Sequence, residues 1–233
     1  MNQKTLFLDE MIVKKPFLRW TGGKNWLIPK LSKIVSKINY NNYHEPFIGG
    51  GSVFFAINPK AKSFLSDINV DLINCYKCVK NSPEKVIKYL SFFKQNKEEY
   101  YKIRNQKFDN IFKEASKFIY LNKTSFNGIY RVNLDGKYNV PYGNKNFNLE
   151  KLEKLIYSAS NQLKNTVIIS QDFKKTIDEI KSNDLVFLDP PYTITHNNNG
   201  FIKYNEKLFS IDEQHNLSSY IDKVIAKDAY FII

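Results

Sequence analysis

The sequence predicts an α/β protein built on a doubly wound parallel sheet, and three stretches carry that prediction. The first is Tyr43-His44-Glu45-Pro46-Phe47-Ile48-Gly49-Gly50-Gly51 running into Ser52-Val53-Phe54-Phe55-Ala56-Ile57. It reads as a strand, a glycine turn and a helix start, the usual nucleotide-binding opening of such folds. The second is Ser63-Phe64-Leu65-Ser66-Asp67, a short strand ending in an acid; Asn69 then caps a helix carrying Val70, Ile73 and Tyr76. The third is Leu185-Val186-Phe187-Leu188 followed by Asp189-Pro190-Pro191-Tyr192. Four apolar residues are too few for a helix, and two prolines forbid further strand pairing just past the strand's carboxyl end. Doubly wound sheets place their ligand crevices there, so an acid, a stiff carbonyl-presenting turn and an aromatic ring arrive together at a candidate site. The plain alternative is a strand ending in a proline turn, with Asp189 as a cap.

Length and composition set the bounds. At 233 residues the chain can bury a full core, as one domain or as a domain with a large insertion. Hydrophobic residues at 42% and charged residues at 25% describe a globular protein, and no apolar run reaches membrane-spanning length. Met1-Asn2-Gln3-Lys4-Thr5 lacks a signal-peptide pattern, so the default compartment is the cytoplasm. Cys75 and Cys78 lie in a helical pattern with no second Cys or His pair nearby, and read as packing cysteines; no metal site is expected. A net charge of +12 suits a polyanionic partner, and 15 Tyr with 18 Phe add stacking surfaces. A basic surface that merely solubilises the chain is the competing explanation.

Taken in order, Pro16-Phe17-Leu18-Arg19-Trp20 is a short extended stretch broken by Thr21-Gly22-Gly23-Lys24 and followed by a helix with Leu27, Leu31, Ile34, Val35 and Ile38 at helical spacing. Paired glycines let backbone approach a ligand, with Trp20 and Lys24 on either side, though a plain strand-to-helix turn fits as well. The turn at Gly49 and Gly51 is not a full dinucleotide fingerprint, because Phe54 occupies the third glycine position. A pyrophosphate cradle is disfavoured, and a cofactor with a nucleoside and no phosphates fits better. Asp67 lies roughly 20 residues on, where such folds set a carboxylate on ribose hydroxyls; capping a helix is its other reading.

From residue 70 to 148 helical patterns dominate. Ser82-Pro83-Glu84 opens one helix with a cap, a proline and an acid, and the helix through Phe118 and Leu121 gives way to a polar, turn-rich stretch, Asn122-Lys123-Thr124-Ser125-Phe126-Asn127-Gly128. Residues 129–140 centre on Asp135-Gly136, a strong hairpin signal. A two-residue turn there sets Arg131 opposite Val140, on one face with Asn133 and Tyr138. Such a ribbon can enter a DNA major groove, where Arg reads guanine bidentately; a solvated surface hairpin is the plainer account. Asn148 caps a helix with Leu149, Leu152, Leu155, Ile156, Ala159 and Leu163, and Thr166-Val167-Ile168-Ile169-Ser170 is a strand. Residues 193–200 read as a loop beside the site. Ser210-Ile211-Asp212-Glu213 is a capping box, and Ala229-Tyr230-Phe231-Ile232-Ile233 is a strand whose continuation is expected beyond the chain given.

These pieces in this order resemble the DNA adenine methyltransferases of the Dam type, the D12, class α group that carries its target-recognition domain between cofactor and catalytic motifs. The matching stretches are Phe17-Leu18-Arg19-Trp20-Thr21-Gly22-Gly23-Lys24, Glu45-Pro46-Phe47-Ile48-Gly49-Gly50-Gly51, Leu65-Ser66-Asp67-Ile68-Asn69, Phe126-Asn127-Gly128-Ile129-Tyr130-Arg131, Tyr138-Asn139-Val140-Pro141-Tyr142-Gly143 and Asp189-Pro190-Pro191-Tyr192. The resemblance implies a Rossmann-like methyltransferase fold over residues 1–69 and 149–233, with 70–148 an inserted, mostly helical target-recognition domain carrying a β-hairpin. It implies S-adenosylmethionine, held by Trp20, Thr21, Gly22, Gly23 and Lys24, by Glu45, Pro46, Phe47, Gly49 and Gly51, by Asp67 on the ribose with Ile68, and by Asp172-Phe173 at the adenine. It implies Asp189, Pro190, Pro191 and Tyr192 as the catalytic segment, and Arg19, Phe126, Asn127, Gly128, Arg131 and Tyr138 as DNA-binding residues.

Family members commonly read GATC in double-stranded DNA and flip the target adenine out of the helix. A monomer in the cytoplasm, on the nucleoid, is the matching expectation, in a restriction-modification system or another DNA-marking role. Three other classes stay open on the sequence alone: an RNA or protein amide methyltransferase with a related acidic site, a DNA-binding module without catalysis, and a phosphate-cradling nucleotide enzyme.

Overall fold

A computed structural model describes residues 14–24, 26–133, 135–191 and 209–233. Tyr192 and the loop expected at 193–200 lie outside the described residues, as does the N-terminal stretch. The chain divides into two compact units: residues 1–37, 49–58 and 69–165 form one, and residues 38–48, 59–68 and 166–233 form the other.

The first unit is helical. Its helices are α1 (Ile28–Val35), α2 (Ser52–Ile57), α3 (Val70–Asn81), α4 (Pro83–Phe92), α5 (Lys97–Asn105), α6 (Ile111–Thr124) and α7 (Leu149–Gln162). Helices α3, α4, α6 and α7 pack on one another through Leu72, Tyr76, Val79, Val86, Leu90, Ile119, Tyr120, Leu152, Ile156 and Ala159, all buried. Burying a side chain of this kind contributes about 1.5–3 kcal/mol, which outweighs the modest helix propensity of so many aromatic and β-branched residues. Asparagines begin the helices: the Oδ1 atoms of Asn69, Asn96, Asn110 and Asn148 each accept a backbone N–H of the first turn. Each such cap is worth about 1 kcal/mol. Ser82 departs from expectation. It precedes α4, but its side chain makes no cap bond; the same residue also ends α3, where its N–H bonds the Cys78 carbonyl. Cys75 and Cys78 are buried on α3, with their sulfurs at the Ala115 and Ile111 carbonyls, and burial pushes both thiols up.

The second unit holds the sheet. Its strands are β1 (Asn42–Glu45), β2 (Lys62–Asp67), β3 (Thr166–Ser170), β4 (Leu185–Phe187) and β5 (Tyr230–Ile232), in the order β3-β2-β1-β4-β5, every neighbouring pair parallel. The chain steps outward from β1 through β2 to β3, then restarts at β4 on the other side of β1. The order therefore reverses between β1 and β4, the point at which doubly wound sheets open their crevice. β4 is buried on both faces, as a central parallel strand must be. Val186 and Leu188 point to one face and join Phe173, Ile180, Phe209, Leu217, Tyr220 and Val224 in a core cluster. The last three come from α8 (Ile211–Ala226), which Ser210 caps through the Glu213 N–H. Buried His44 on β1 stacks on Phe64 at 4.7 Å and bonds Asp184 through Nε2 at 2.8 Å, while Asn42 and the Lys181 N–H satisfy the rest of that carboxylate.

Candidate active site

β1 and β4 run side by side in register, Tyr43 with Leu185 and His44 with Val186, so the segments that leave them start as neighbours. From β4, the Leu188 N–H makes a last bond to the Ile232 carbonyl at 2.8 Å. Asp189 and Pro190 follow, half-buried, then exposed Pro191. Neither proline has an N–H to extend the ladder, which frees the turn to project from the sheet. From β1 come Glu45, Pro46 and Phe47. Glu45 is buried and accepts the Tyr43 hydroxyl at 2.6 Å. Burial, with this carboxylate beside it, holds the Tyr43 phenol well above its usual range. The Pro46 carbonyl accepts the Ser66 hydroxyl at 3.4 Å and the Ile48 N–H reaches the Ser66 carbonyl, which keeps this segment alongside β2.

β2 ends at Asp67, half-buried, its carbonyl accepting the Gln171 N–H at 3.1 Å. The following Ile68 is exposed. The cap of the next helix is Asn69, so the capping role that competed for Asp67 belongs to its neighbour. Past β3, the Asp172 carboxylate accepts the Lys174 N–H and opens the 3₁₀ stretch Phe173–Glu179. The Lys174 ammonium lies between Asp172 at 3.4 Å and Glu213 at 2.9 Å. The Phe47 and Phe173 rings meet at 5.1 Å, with Phe209 at 6.0 Å from each. Two residues expected at the cofactor from separate stretches of sequence are thus in contact.

The helical unit holds the other expected residues. Trp20 lies over the glycine turn: a Cβ added at Gly49 would come within 2.8 Å of its ring, and one at Gly50 within 2.6 Å of its Cβ. Gly51 sits at φ +69°, where an added Cβ would come within 2.9 Å of the Phe55 ring and the Tyr76 hydroxyl, and that hydroxyl donates to the Gly49 carbonyl. The close approach that Gly49 and Gly50 permit is therefore, in this chain, an approach by Trp20. Phe54, at the third position of a dinucleotide fingerprint, is in the core at 1% exposure. Thr21, Gly22 and Gly23 are exposed, Gly22 at φ +85°, and the Lys24 ammonium closes the turn on the Gly22 carbonyl at 2.9 Å.

Next to Trp20, the backbone of Arg19 is tied to Asn122, and its side chain packs on buried Gly128, where a Cβ would meet Arg19 Cδ at 2.8 Å. Phe126 is 54% exposed and Asn127 takes a left-handed φ of +55°. The chain then reverses, though not in the expected register. An antiparallel bridge joins Val132 to Tyr138, the Asn133 N–H bonds the Lys137 carbonyl, and the Asn139 N–H bonds the Arg131 carbonyl. The turn is one residue longer than Asp135-Gly136 suggests: the Gly136 N–H bonds the Asn133 carbonyl and Gly136 sits at φ +73°, the geometry of a three-residue loop with a glycine bulge. A slip of one residue exchanges the faces of a strand pair. Arg131 is consequently opposite Asn139, not Val140, and its guanidinium donates to Asn139 Oδ1 at 2.8 Å and to the Asn139 carbonyl at 3.4 Å. Tyr138 donates to the Ile129 carbonyl at 2.8 Å, and burial pushes its phenol up to about 12.

Four neighbours of these residues were given no site role from the sequence: Tyr76, Asn122, Lys123 and Tyr130. Tyr130 stacks on Trp20 with ring centroids 5.7 Å apart and planes within 18°. Lys123 is brought down to about 8 by burial and by the Arg19 charge. Only a pattern linking an asparagine on one helix to a backbone about a hundred residues earlier could have flagged Asn122, and hydrophobic periodicity contains no such signal.

Known proteins match along nearly the whole chain. The model of the D12 class N6 adenine-specific DNA methyltransferases covers residues 20–232. A type II methyltransferase of Lactococcus lactis subsp. cremoris is 36% identical over 230 residues, which is 94% of this chain and 80% of that protein. A type II methyltransferase of Methanocaldococcus jannaschii is 36% identical over 241 residues, 94% of this chain and 83% of its own length. A DNA adenine methylase of Haemophilus influenzae is 30% identical over 235 residues, 98% and 81% of the two chains. A match of that extent, on a parallel sheet whose reversal point carries Asp189-Pro190-Pro191, settles the assignment: the chain belongs to the D12 class N6 adenine-specific DNA methyltransferase family.

Proposed function

We propose that Asp189, Pro190, Pro191 and Tyr192 carry the methyl transfer to adenine N6 that this family performs, and that the target is adenine in double-stranded GATC. The observation that carries the catalytic reading is the position of Asp189-Pro190-Pro191, leaving β4 beside β1 where the strand order reverses. The cofactor proposed is S-adenosylmethionine. The residues fit a nucleoside without phosphates: Asp67 ends β2 with a carboxylate suited to ribose hydroxyls, Phe47 and Phe173 offer an apolar shelf, and Phe54 closes the third glycine position. Glu45, Pro46, Ile68 and Asp172, with Trp20, Thr21, Gly22, Gly23, Lys24, Gly49 and Gly51, are the remaining residues proposed for the cofactor. When bound, S-adenosylmethionine supplies an activated methyl group.

The chain's own task is to make a poor nucleophile attack. The adenine amino lone pair is delocalised into the ring. The Asp189 carboxylate and the Pro190 carbonyl would each accept one N–H of that amino group, which pyramidalises the nitrogen and localises the lone pair. This is positioning and preorganised electrostatics. The base must leave the duplex to be reached, and Tyr192 would stack on it.

Target reading is proposed for the segment 126–142, with Arg131 on guanine and Arg19, Phe126, Asn127, Gly128 and Tyr138 at the DNA. The functional division proposed is 70–148 for target recognition and 1–69 with 149–233 for transfer; it follows motifs, whereas compactness groups α7 with the other helices. Among the described residues no helix is long and apolar enough to cross a membrane. We place the enzyme in the cytoplasm, on the nucleoid, as a monomer, and the names of the type II relatives favour a restriction-modification setting.

The test is plasmid DNA from cells without adenine methylation of their own, made to express the chain and digested with nucleases blocked by N6-methyladenine. Protection at GATC is the expected result. Protection at another adenine-containing sequence overturns GATC and keeps the reaction; no protection at any sequence overturns the reading.

A further inference from the structure

We propose that Asn122 is a positioning residue that holds the cofactor segment and the target-reading segment in one register, through a single side-chain amide. This rests on the reading above, in which Trp20 serves the cofactor and Arg131 reads the target. Asn122 lies on α6 and is 4% exposed. Its Oδ1 accepts the Arg19 N–H at 2.8 Å, and its Nδ2 donates to the Arg19 carbonyl at 2.7 Å and to the Gly128 carbonyl at 3.2 Å.

The first two bonds grip both polar groups of one residue, as a neighbouring strand would, although Arg19 is in no sheet. They fix the backbone at Arg19, and Trp20 follows directly. The Trp20 ring has little freedom left, with Gly49 and Gly50 at its surface and Tyr130 stacked on it. The third bond fixes Gly128, at φ +67°, where the chain turns toward Arg131. Both amide hydrogens and the amide oxygen are used, and their directions are set by the partners: an N–H must face the oxygen, and two carbonyls must face the nitrogen. No apolar residue of similar size can replace this, because three backbone groups, the two of Arg19 partly buried and the Gly128 carbonyl buried, would lose their partner.

A residue that only stabilised the fold would lower the melting temperature and the fraction of active enzyme. It would leave the cofactor Kd and the ratio of rates on right and wrong targets unchanged in the molecules that remain folded. The two roles therefore separate in those quantities. Asn122→Asp keeps the volume and the acceptor, and turns the two donors into an oxygen facing two carbonyls. Asn122→Ala removes all three bonds. We expect both variants to weaken S-adenosylmethionine binding by calorimetry by about tenfold, and to lower the single-turnover preference for the cognate duplex over singly substituted duplexes by about tenfold, the scale of one lost buried bond.

Loss of one property without the other, or of neither, overturns the proposal. So does failure of both variants to fold, which would make Asn122 a residue of the core. Trp20→Ala and Arg131→Ala distinguish the two levels of inference. If Trp20→Ala leaves cofactor affinity intact or Arg131→Ala leaves discrimination intact, the underlying reading fails. If both act as expected and the Asn122 variants do not, the bridging role alone fails.

Discussion

The edge of the sheet and the reversal at residues 122–142 reach their geometry by different means. At the sheet edge, position is set by backbone: β1 and β4 pair in parallel, Leu188 makes its last ladder bond to Ile232, and prolines end the strand. Side chains there inherit their place from strands that are buried for independent reasons. In the reversal, two isolated antiparallel bridges, Val132–Tyr138 and Ser125–Tyr142, take the place of continuous strands, and much of the rest depends on individual groups: the left-handed φ of Asn127, Gly128 and Gly136, the Asn122 amide, and Asn139 holding Arg131. A site built on a sheet edge tolerates a changed side chain without moving. A site built on turn geometry and single amides does not. The first suits chemistry, which demands one fixed arrangement, and the second suits target reading, which differs from one methyltransferase to the next.

The largest effect is expected at Asp189. Asp189→Ala removes an acceptor that counts most as charge develops on the amino nitrogen, and leaves the strands beneath it in place. Single-turnover methylation should fall by roughly 10²–10³, with DNA affinity and melting temperature close to those of the parent. Normal turnover in this variant ends the catalytic reading. A large fall in melting temperature would show that Asp189 supports the edge instead of using it.

Arg131→Ala tests the other side. Losing a bidentate guanine contact should remove about 1–3 kcal/mol of discrimination at one base position, while methyl transfer persists on permissive duplexes. Full discrimination at every position would reduce the reversal to a surface feature and move the recognition element elsewhere.

The same difference decides what could be read from the sequence. All five strands were legible, because short apolar runs bounded by glycine, proline or an acid have few other solutions. The asparagine caps at 69 and 148 were legible for an equally local reason. The places of Asp189 and Asp67 at strand ends were legible too, whereas the meeting of Phe47 with Phe173 appears only in the fold. The register of the reversal was not legible. Asp135-Gly136 announces a turn, but whether it is closed by two residues or three depends on which residue takes the left-handed conformation, and one residue's difference moved Arg131 from Val140 to Asn139. Ser82 was legible as the residue before a helix, but the side-chain cap bond expected there is not made.

Asp67→Ala, at the sheet edge, should have a smaller effect. A charge-assisted hydrogen bond to a ribose hydroxyl is worth roughly 1.5–3 kcal/mol, so calorimetry should show cofactor binding weakened about tenfold or more. Unchanged affinity would leave Asp67 as a strand terminus whose carbonyl accepts the Gln171 N–H, with no part in holding the cofactor.

The smallest expected effect concerns Lys123, beside Arg19. Burial, then the Arg19 charge, brings its ammonium down to about 8, and among the described residues no carboxylate pairs with it. A DNA phosphate set against the two cations would favour the charged form. Below pH 8 the free chain already carries that charge. Above it, binding must take up a proton, so DNA affinity at fixed salt should fall as pH rises through 8, by at most about tenfold per pH unit for one proton. Stability of the free chain should run the other way. Between about pH 8 and the ordinary lysine value the unfolded chain holds a proton that the folded chain has released, so stability rises with pH across that window and the penalty is complete below it. Lys123→Met should flatten both profiles and lower the slope of log affinity against log salt by about 1. A parent chain whose DNA affinity is level from pH 7 to 9, with a salt slope that Lys123→Met leaves unchanged, would show that this ammonium meets no phosphate.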